Sequence, residues 1–167
     1  MRILLSLIFI FFIYVFYEGL KKNPNEIPSN LISKKIPDFK MSGFKSSEMT
    51  NYDLSNNEIK IVNFFASWCP PCQLEHQQLE YLGEKNLVYG IAKKNKLEDL
   101  KPWLEKFGNP FKKIGMDFDG AVSIDWGVYG LPETFLVDSD GIIKYKHVGP
   151  IMKKDLKKIE RIINNIK

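Results

Sequence analysis

The sequence Trp68-Cys69-Pro70-Pro71-Cys72 contains both cysteines of the 167-residue chain and separates them by two residues. The preceding stretch, Ile59–Ala66, is largely apolar, as is typical of a buried β-strand. The following stretch, Pro70–Leu82, has the composition of a helix, and Gly83 marks its end. Two thiols at this spacing can form a disulfide within one helical turn, and the helix dipole favours the thiolate of the first. The sequence therefore predicts a redox-active disulfide, Cys69–Cys72, with no further cofactor.

The N-terminal residues are strongly apolar. Ile3–Tyr17 is interrupted only by Ser6, and with Leu20 it provides roughly 18 residues, which is near the lower limit for spanning a bilayer. No Ala-x-Ala-like cleavage site follows, so the pattern favours an uncleaved anchor over a cleaved signal peptide. We therefore expect a transmembrane anchor at residues 1–20, a tether rich in turn-forming residues at 21–35 and a folded domain at 36–167. A lone reactive dithiol on an anchored domain is best suited to the outside of the cytoplasm.

The net charge of +4 comes mainly from lysines in pairs along the folded domain. Paired lysines without interleaved arginine or aromatic motifs are typical of a solvated surface. We predict no nucleic-acid partner.

The order of elements predicts an α/β fold with a mixed sheet, because strand–helix–strand units make parallel pairs and a hairpin adds an antiparallel one. After the first strand and helix, Ser139-Asp140-Gly141 marks a hairpin turn. Residues 39–54 are expected to form short strands or turns. Further along, the sequence predicts strands at 87–92 and 111–115, helical segments at 96–107 and 120–126, hairpin strands at 133–138 and 142–148, and an amphipathic helix at 152–166. Pro102 favours a late start or a kink in the helix at 96–107.

The two cysteines are expected to have different roles. Cys69, at the helix start, is predicted to be the exposed thiol that attacks a partner disulfide, and the less accessible Cys72 then resolves the mixed disulfide. Pro70 and Pro71 each lack a backbone N–H that could otherwise donate to the Cys69 thiolate. Fewer donors stabilise the thiolate less, which predicts a redox couple on the reducing side.

Two longer motifs resemble a known family. Phe65-Ala-Ser-Trp-Cys-Pro-Pro-Cys72 with Glu75-His76, and Gly127-Val-Tyr-Gly-Leu-Pro-Glu-Thr-Phe-Leu-Val-Asp138, are similar to the thioredoxin-like, membrane-tethered DsbE thiol:disulfide interchange proteins of cytochrome c maturation. The resemblance extends over residues 36–167. It implies a thioredoxin-like domain with helices flanking a central mixed sheet, held in the periplasm by a single pass through the inner membrane. It also implies a reductant of apocytochrome c, or of a partner thiol protein of the same pathway, that is re-reduced by a thiol electron donor in the membrane.

The same resemblance implies a substrate-binding surface. Pro132 corresponds to a cis-proline that faces the dithiol, and Leu131 before it is expected to contact substrate. Trp68 is expected to shield the active site, and Trp68, Pro70 and Pro71 are assigned to substrate binding with them.

Glu75 and Glu133 are the acidic residues that the resemblance places near the active site. Glu75 follows Cys72 by three residues and so shares its helical face. General thioredoxins carry a buried carboxylate six residues before the first cysteine, whereas this chain has Asn63 there. An amide cannot shuttle a proton, so Glu75 and Glu133 are the candidates for deprotonating Cys72, and both are assigned as catalytic with the two cysteines.

Two alternatives remain at this stage. The chain could be a general extracytoplasmic reductant, or a copper or zinc metallochaperone that uses the same thiols with His76 and His147. A structural zinc site usually shows two ligand pairs, and the second pair is missing here, so no metal site is assigned. We expect His76 to pack beside the dithiol, and Trp103 and Trp126 to be packing residues.

Overall fold

A computed structural model describes residues 2–21, 30–45, 48–55 and 58–166. Most of the tether predicted at 21–35 therefore lies outside the described residues. The helices are α1 Arg2–Lys21, α2 Pro70–Gly83, α3 Leu97–Phe107, α4 Ala121–Asp125 and α5 Lys153–Ile166, with a short 3-10 helix at Asn51–Leu54. The strands are β1 Lys40–Gly43, β2 Met49–Thr50, β3 Lys60–Phe65, β4 Leu87–Lys93, β5 Lys113–Asp117, β6 Glu133–Val137 and β7 Ile143–Val148.

The strands form one sheet in the order β2-β1-β5-β4-β3-β6-β7. Strands β3, β4 and β5 are parallel, whereas β6 is antiparallel to both β3 and β7. This arrangement follows from the connections, because helices α2 and α3 cross between parallel strands and a tight turn joins the hairpin strands. The predicted thioredoxin-like α/β fold with a mixed sheet is confirmed.

Both faces of the sheet are covered, and this places β3 at the centre of the molecule. All six residues of β3 are buried. Ile61 and Phe65 join the hydrophobic cluster that includes residues of α2, α3 and α5, while Val62 and Phe64 join the cluster on the opposite face. Successive side chains of a strand point to opposite faces, so one strand contributes to both clusters.

Aromatic rings pack against one another in both clusters. The rings of Phe65 and Phe111 stack with centroids 4.5 Å apart, and we call this pair the aromatic stack. On the other face, Trp126 contacts Phe64 and Phe135 with centroid distances of 5.3 and 5.1 Å. Trp126 and Trp103 are buried, so their prediction as packing residues is confirmed.

Two local predictions differ from the structure. Helix α3 begins at Leu97 and contains Pro102 in its interior, so of the late start and the kink that were predicted as alternatives, the late start is wrong. Strand β5 begins at Lys113, two residues later than predicted. The short strands expected within residues 39–54 are confirmed as β1 and β2, which are followed by the 3-10 helix, and β1 pairs with β5 in antiparallel register.

Helix α1 carries the apolar N-terminal sequence. Its side chains from Leu4 to Leu20 are all exposed. Within the described ranges, the structure shows no helix with both the length and the apolar character needed to cross a membrane.

Candidate redox site

The disulfide lies where the central strand passes into helix α2. Cys69 is the N-cap of that helix, with an extended backbone, and it is disulfide-bonded to Cys72. The Cys72 N–H donates a hydrogen bond of 3.2 Å to the Cys69 Sγ. Because Pro70 and Pro71 have no N–H, this is the first amide of the helix that can donate to the sulfur.

Both sulfur-bearing residues are recessed. Cys69 is 4% exposed and Cys72 is 1% exposed, so Cys69 is only marginally the more accessible. The prediction of an exposed Cys69 thiol is wrong for the disulfide form. Both side chains belong to the hydrophobic cluster that α2 makes with the sheet, and Leu131 packs against the same cluster.

The loop before Cys69 is held by residues that follow the neighbouring strand β4. The Ser67 N–H donates to the Asn95 Oδ1 at 2.6 Å, and the Asn95 Nδ2 donates to the Ser67 Oγ at 2.9 Å. The Trp68 Nε1 donates to the Lys94 carbonyl at 3.1 Å, and this leaves the Trp68 ring 59% exposed beside the disulfide. Asn95 could not be predicted from the sequence, because a single asparagine after a strand is typical of any loop.

The cis peptide bond predicted at Leu131–Pro132 is confirmed. Strand β6 runs antiparallel to β3 with Glu133 opposite Phe64. Pro132, just before Glu133, therefore lies beside the end of β3 from which the chain continues to the disulfide. Leu131 is partly buried. The sheet thus brings together Leu131, Pro132 and the two cysteines from segments about 60 residues apart.

Glu75 is a buried acid on helix α2, with no exposed surface. Its Oε1 accepts a hydrogen bond of 2.7 Å from the Asn63 Nδ2, and its Oε2 accepts one of 2.9 Å from the Ile151 N–H. The Asn63 Nδ2 also donates to the Thr134 Oγ1 on strand β6 at 3.0 Å. Burial raises the pKa of Glu75 to about 8, although these hydrogen bonds oppose the shift. Glu75 therefore holds a proton at neutral pH inside the domain.

Glu133 is also fully buried, and it is paired with a lysine. Its Oε2 lies 2.8 Å from the Lys146 Nζ, and only 3% of the Lys146 side chain is exposed. Its Oε1 accepts hydrogen bonds from the N–H groups of Tyr129 and Gly130 at 3.0 and 3.4 Å. Lys146 was not identified from the sequence, because lysines alternate along β7 as they do on any solvated strand.

His76 links the dithiol helix to α3. Its Nε2 lies 2.9 Å from the Gly108 carbonyl oxygen, and its ring meets the Trp103 ring edge-on at 4.6 Å. Burial lowers the pKa of His76. Among the residues the structure describes, no three His, Cys, Asp or Glu side chains form a group that could hold a metal ion.

A Cys-X-X-Cys disulfide at a helix start, a cis-proline beside it and a central mixed sheet together define a thioredoxin-like thiol:disulfide oxidoreductase. The Redoxin family profile matches residues 32–163. Two relatives are each described as thiol:disulfide interchange protein DsbE. The one from Allochromatium vinosum is 38% identical over 86% of this chain and 81% of its own length. The one from Pseudomonas aeruginosa is 38% identical over 88% of this chain and 83% of its own length.

A solved structure from Chlorobium tepidum, also described as a DsbE, aligns with a TM-score of 0.67 at 26% identity. The alignment covers 81% of this chain and 96% of that one. The chain belongs to the DsbE family of thiol:disulfide interchange proteins.

Proposed function

We propose that the protein reduces disulfides in clients of cytochrome c maturation, outside the cytoplasm. The observation that carries the proposal is the segment Gly127–Phe135, which places the cis Leu131–Pro132 bond beside the end of β3 that leads to the disulfide. The similarity to DsbE proteins supports it. Haem attachment to a Cys-X-X-Cys-His site requires free thiols, and an oxidising compartment closes them into a disulfide.

The reaction is a two-step thiol–disulfide exchange. In the reduced protein, the Cys69 thiolate attacks one sulfur of the client disulfide and releases the other as a thiolate. Cys72 then attacks the Cys69 sulfur of the mixed disulfide, which frees the reduced client and leaves the Cys69–Cys72 disulfide seen here. A membrane thiol electron donor restores the dithiol. We propose that an extended client segment lies against Trp68, Leu131 and Pro132, with Pro70 and Pro71 at the rim.

The second step needs a proton acceptor for Cys72, and Glu75 is the better candidate. Only the ionised fraction of Glu75 can accept this proton, and with a pKa of about 8 that fraction is about a tenth at pH 7. Because this pKa is close to that of an ordinary thiol, about 8.5, transfer from Cys72 to the ionised carboxylate costs little. Both oxygens of Glu133 are already bound by Lys146 and by loop amides. We expect E75Q to slow mixed-disulfide resolution strongly. If the rate of mixed-disulfide resolution were unchanged in both E75Q and E133Q, neither glutamate would be the proton acceptor.

The single amide donor on the Cys69 sulfur supports a reducing couple. A redox titration against glutathione measures the potential. A value as oxidising as that of a dedicated disulfide donor, about −120 mV, would contradict a reductant.

We propose that the exposed apolar helix α1 attaches the domain to the inner membrane, with the domain in the periplasm. Carbonate extraction of membranes tests the attachment. A cysteine-labelling reagent that cannot cross the membrane then tests on which side the reduced dithiol lies. Recovery of the full chain in the soluble fraction would contradict the attachment.

Trapping tests the client assignment directly. C72S stalls the reaction at the mixed disulfide, and C69S/C72S is the matched control that cannot form one. Recovery of apocytochrome c, or of a thiol protein of its maturation, supports the proposal, whereas unrelated extracytoplasmic proteins alone would favour a general reductant. Stoichiometric copper or zinc on the purified reduced protein would favour a metallochaperone.

A further inference from the structure

Lys146 makes several contacts around the loop that precedes the cis-proline. Its ammonium group donates to the Gly127 carbonyl at 2.7 Å and pairs with Glu133 at 2.8 Å. The rings of Tyr129 and Phe135 lie 4.6 and 5.3 Å from the same nitrogen. A buried ammonium requires such partners, because its desolvation is costly without them.

Glu133 extends this arrangement to the other side of the loop. Its second oxygen accepts the N–H groups of Tyr129 and Gly130. One ion pair therefore bonds three backbone groups of residues 127–130, namely one carbonyl and two amides. Gly130 is exposed and Tyr129 is 68% exposed, so these two residues have little side-chain packing of their own, whereas the preceding Val128 is buried.

We infer that Lys146 is a positioning residue that sets how tightly a client segment docks at Leu131 and Pro132. The inference rests on the proposed function, in which the client lies against these two residues. Lys146 acts through Glu133 and the loop backbone. A loop that is already fixed loses less conformational entropy when a client binds, so its docking affinity is higher.

The chain offers a matched control on the same strand. Lys144 lies two residues before Lys146 and pairs with Asp138 at 3.0 Å, but its side chain is 41% exposed. Lys144→Met removes the same charge and one ion pair from β7, away from the loop. Lys146→Met removes the bond to the Gly127 carbonyl and leaves Glu133, which accepts the two loop amides, without its ion-pair partner. Lys146→Gln keeps an amide N–H that can still donate to a carbonyl.

The experiment uses the full chain in detergent micelles, reduced and then mixed with disulfide-bonded peptides in a stopped-flow instrument. One peptide contains a Cys-X-X-Cys-His disulfide, and a second of equal length contains an unrelated disulfide. The readouts are the peptide concentration that gives half-maximal rate and the maximal rate itself. We expect K146M to raise the half-saturating concentration about tenfold, because it removes a buried charged hydrogen bond. The half-saturating concentration should change less in K146Q and not at all in K144M. The maximal rate should change less than about twofold, because the dithiol is untouched.

Three outcomes would overturn the inference. The first is an unchanged half-saturating concentration in K146M. The second is a fall in the maximal rate of K146M that is as large as the rise in its half-saturating concentration. Unfolding of both Lys146 variants, monitored by tryptophan fluorescence, would place the residue in domain stability instead and also contradict the positioning role. Failure of the proposed function looks different, because the unaltered protein would then show no preference for the Cys-X-X-Cys-His peptide while K146M still weakened docking of the unrelated one.

Discussion

Replacing Glu75 by Gln should change how the stability of the domain depends on pH. In the folded protein burial raises the pKa of Glu75 to about 8, whereas its usual value is 4.5. Between these values the folded state holds a proton that the unfolded chain has lost. Stability therefore falls as pH rises through this window, because folding must take up a proton.

The magnitude follows from the size of the pKa shift. The unfolding free energy of the parent should fall by about 1.4 kcal/mol per pH unit from this group, up to about 5 kcal/mol over the window. Glutamine resembles the protonated acid and cannot ionise, so E75Q should lack this slope. His76 and His147, whose pKa values burial lowers, act in the opposite direction, but they are present in both proteins and cancel in the difference.

Urea unfolding of the oxidised full chain, followed by tryptophan fluorescence from about pH 5 to about pH 8, measures this difference. The advantage of E75Q over the parent should grow by roughly 1 kcal/mol per pH unit as pH rises. E80Q is the control, because Glu80 lies on the same helix but is exposed, and its unfolding free energy should stay within about 0.5 kcal/mol of the parent throughout. A difference between E75Q and the parent that does not vary with pH would refute the conclusion that Glu75 is protonated inside the domain.

Three further substitutions test the packing and the loop supports. Gly90→Ala should cost about 1–3 kcal/mol of unfolding free energy, since its Cβ would come within 2.8–3.0 Å of the aromatic stack, whereas Gly130→Ala meets nothing within 4 Å; similar urea midpoints for the two would contradict this. Trp126→Ala should lower the unfolding free energy by about 3–5 kcal/mol, because Trp126 is buried. Trp68→Ala should change it by less than about 0.5 kcal/mol, because Trp68 is exposed. Equal falls in melting temperature for the two variants would disprove the packing assignment of Trp126. Asn95→Ala removes both hydrogen bonds to Ser67 and should cost about 1–3 kcal/mol, and a neutral result in urea unfolding would show that the loop is held by other contacts.

The central elements could be predicted because their patterns are local. The disulfide helix, strands β3 and β4 and the terminal hairpin lie within a few residues of their predicted bounds, since apolar periodicity and turn residues mark each one. The edge of the sheet could not be placed in this way. Strand β2 is two residues long, and β1 pairs with β5 more than 70 residues away, a contact that no local pattern records.

The sequence predicted which residues form the candidate site, but not their hydrogen-bond partners or their burial. Motifs indicate Glu75 and Glu133, but no motif indicates their partners. Ile151 is brought to Glu75 from a distant segment by the fold, and Lys146 reaches Glu133 from the neighbouring strand of the hairpin. Burial of Cys69 was missed for a related reason. A helix N-cap is exposed in an isolated helix, and only packing against the sheet covers it.

The recessed disulfide has a kinetic consequence. With exposures of 4% and 1%, the two sulfurs are rarely struck by small thiols that diffuse freely in the surrounding medium. A partner that docks beside them presents its sulfur at a high local concentration. The disulfide should therefore exchange faster with partner thiol proteins that dock beside it than with small thiols of the surrounding medium.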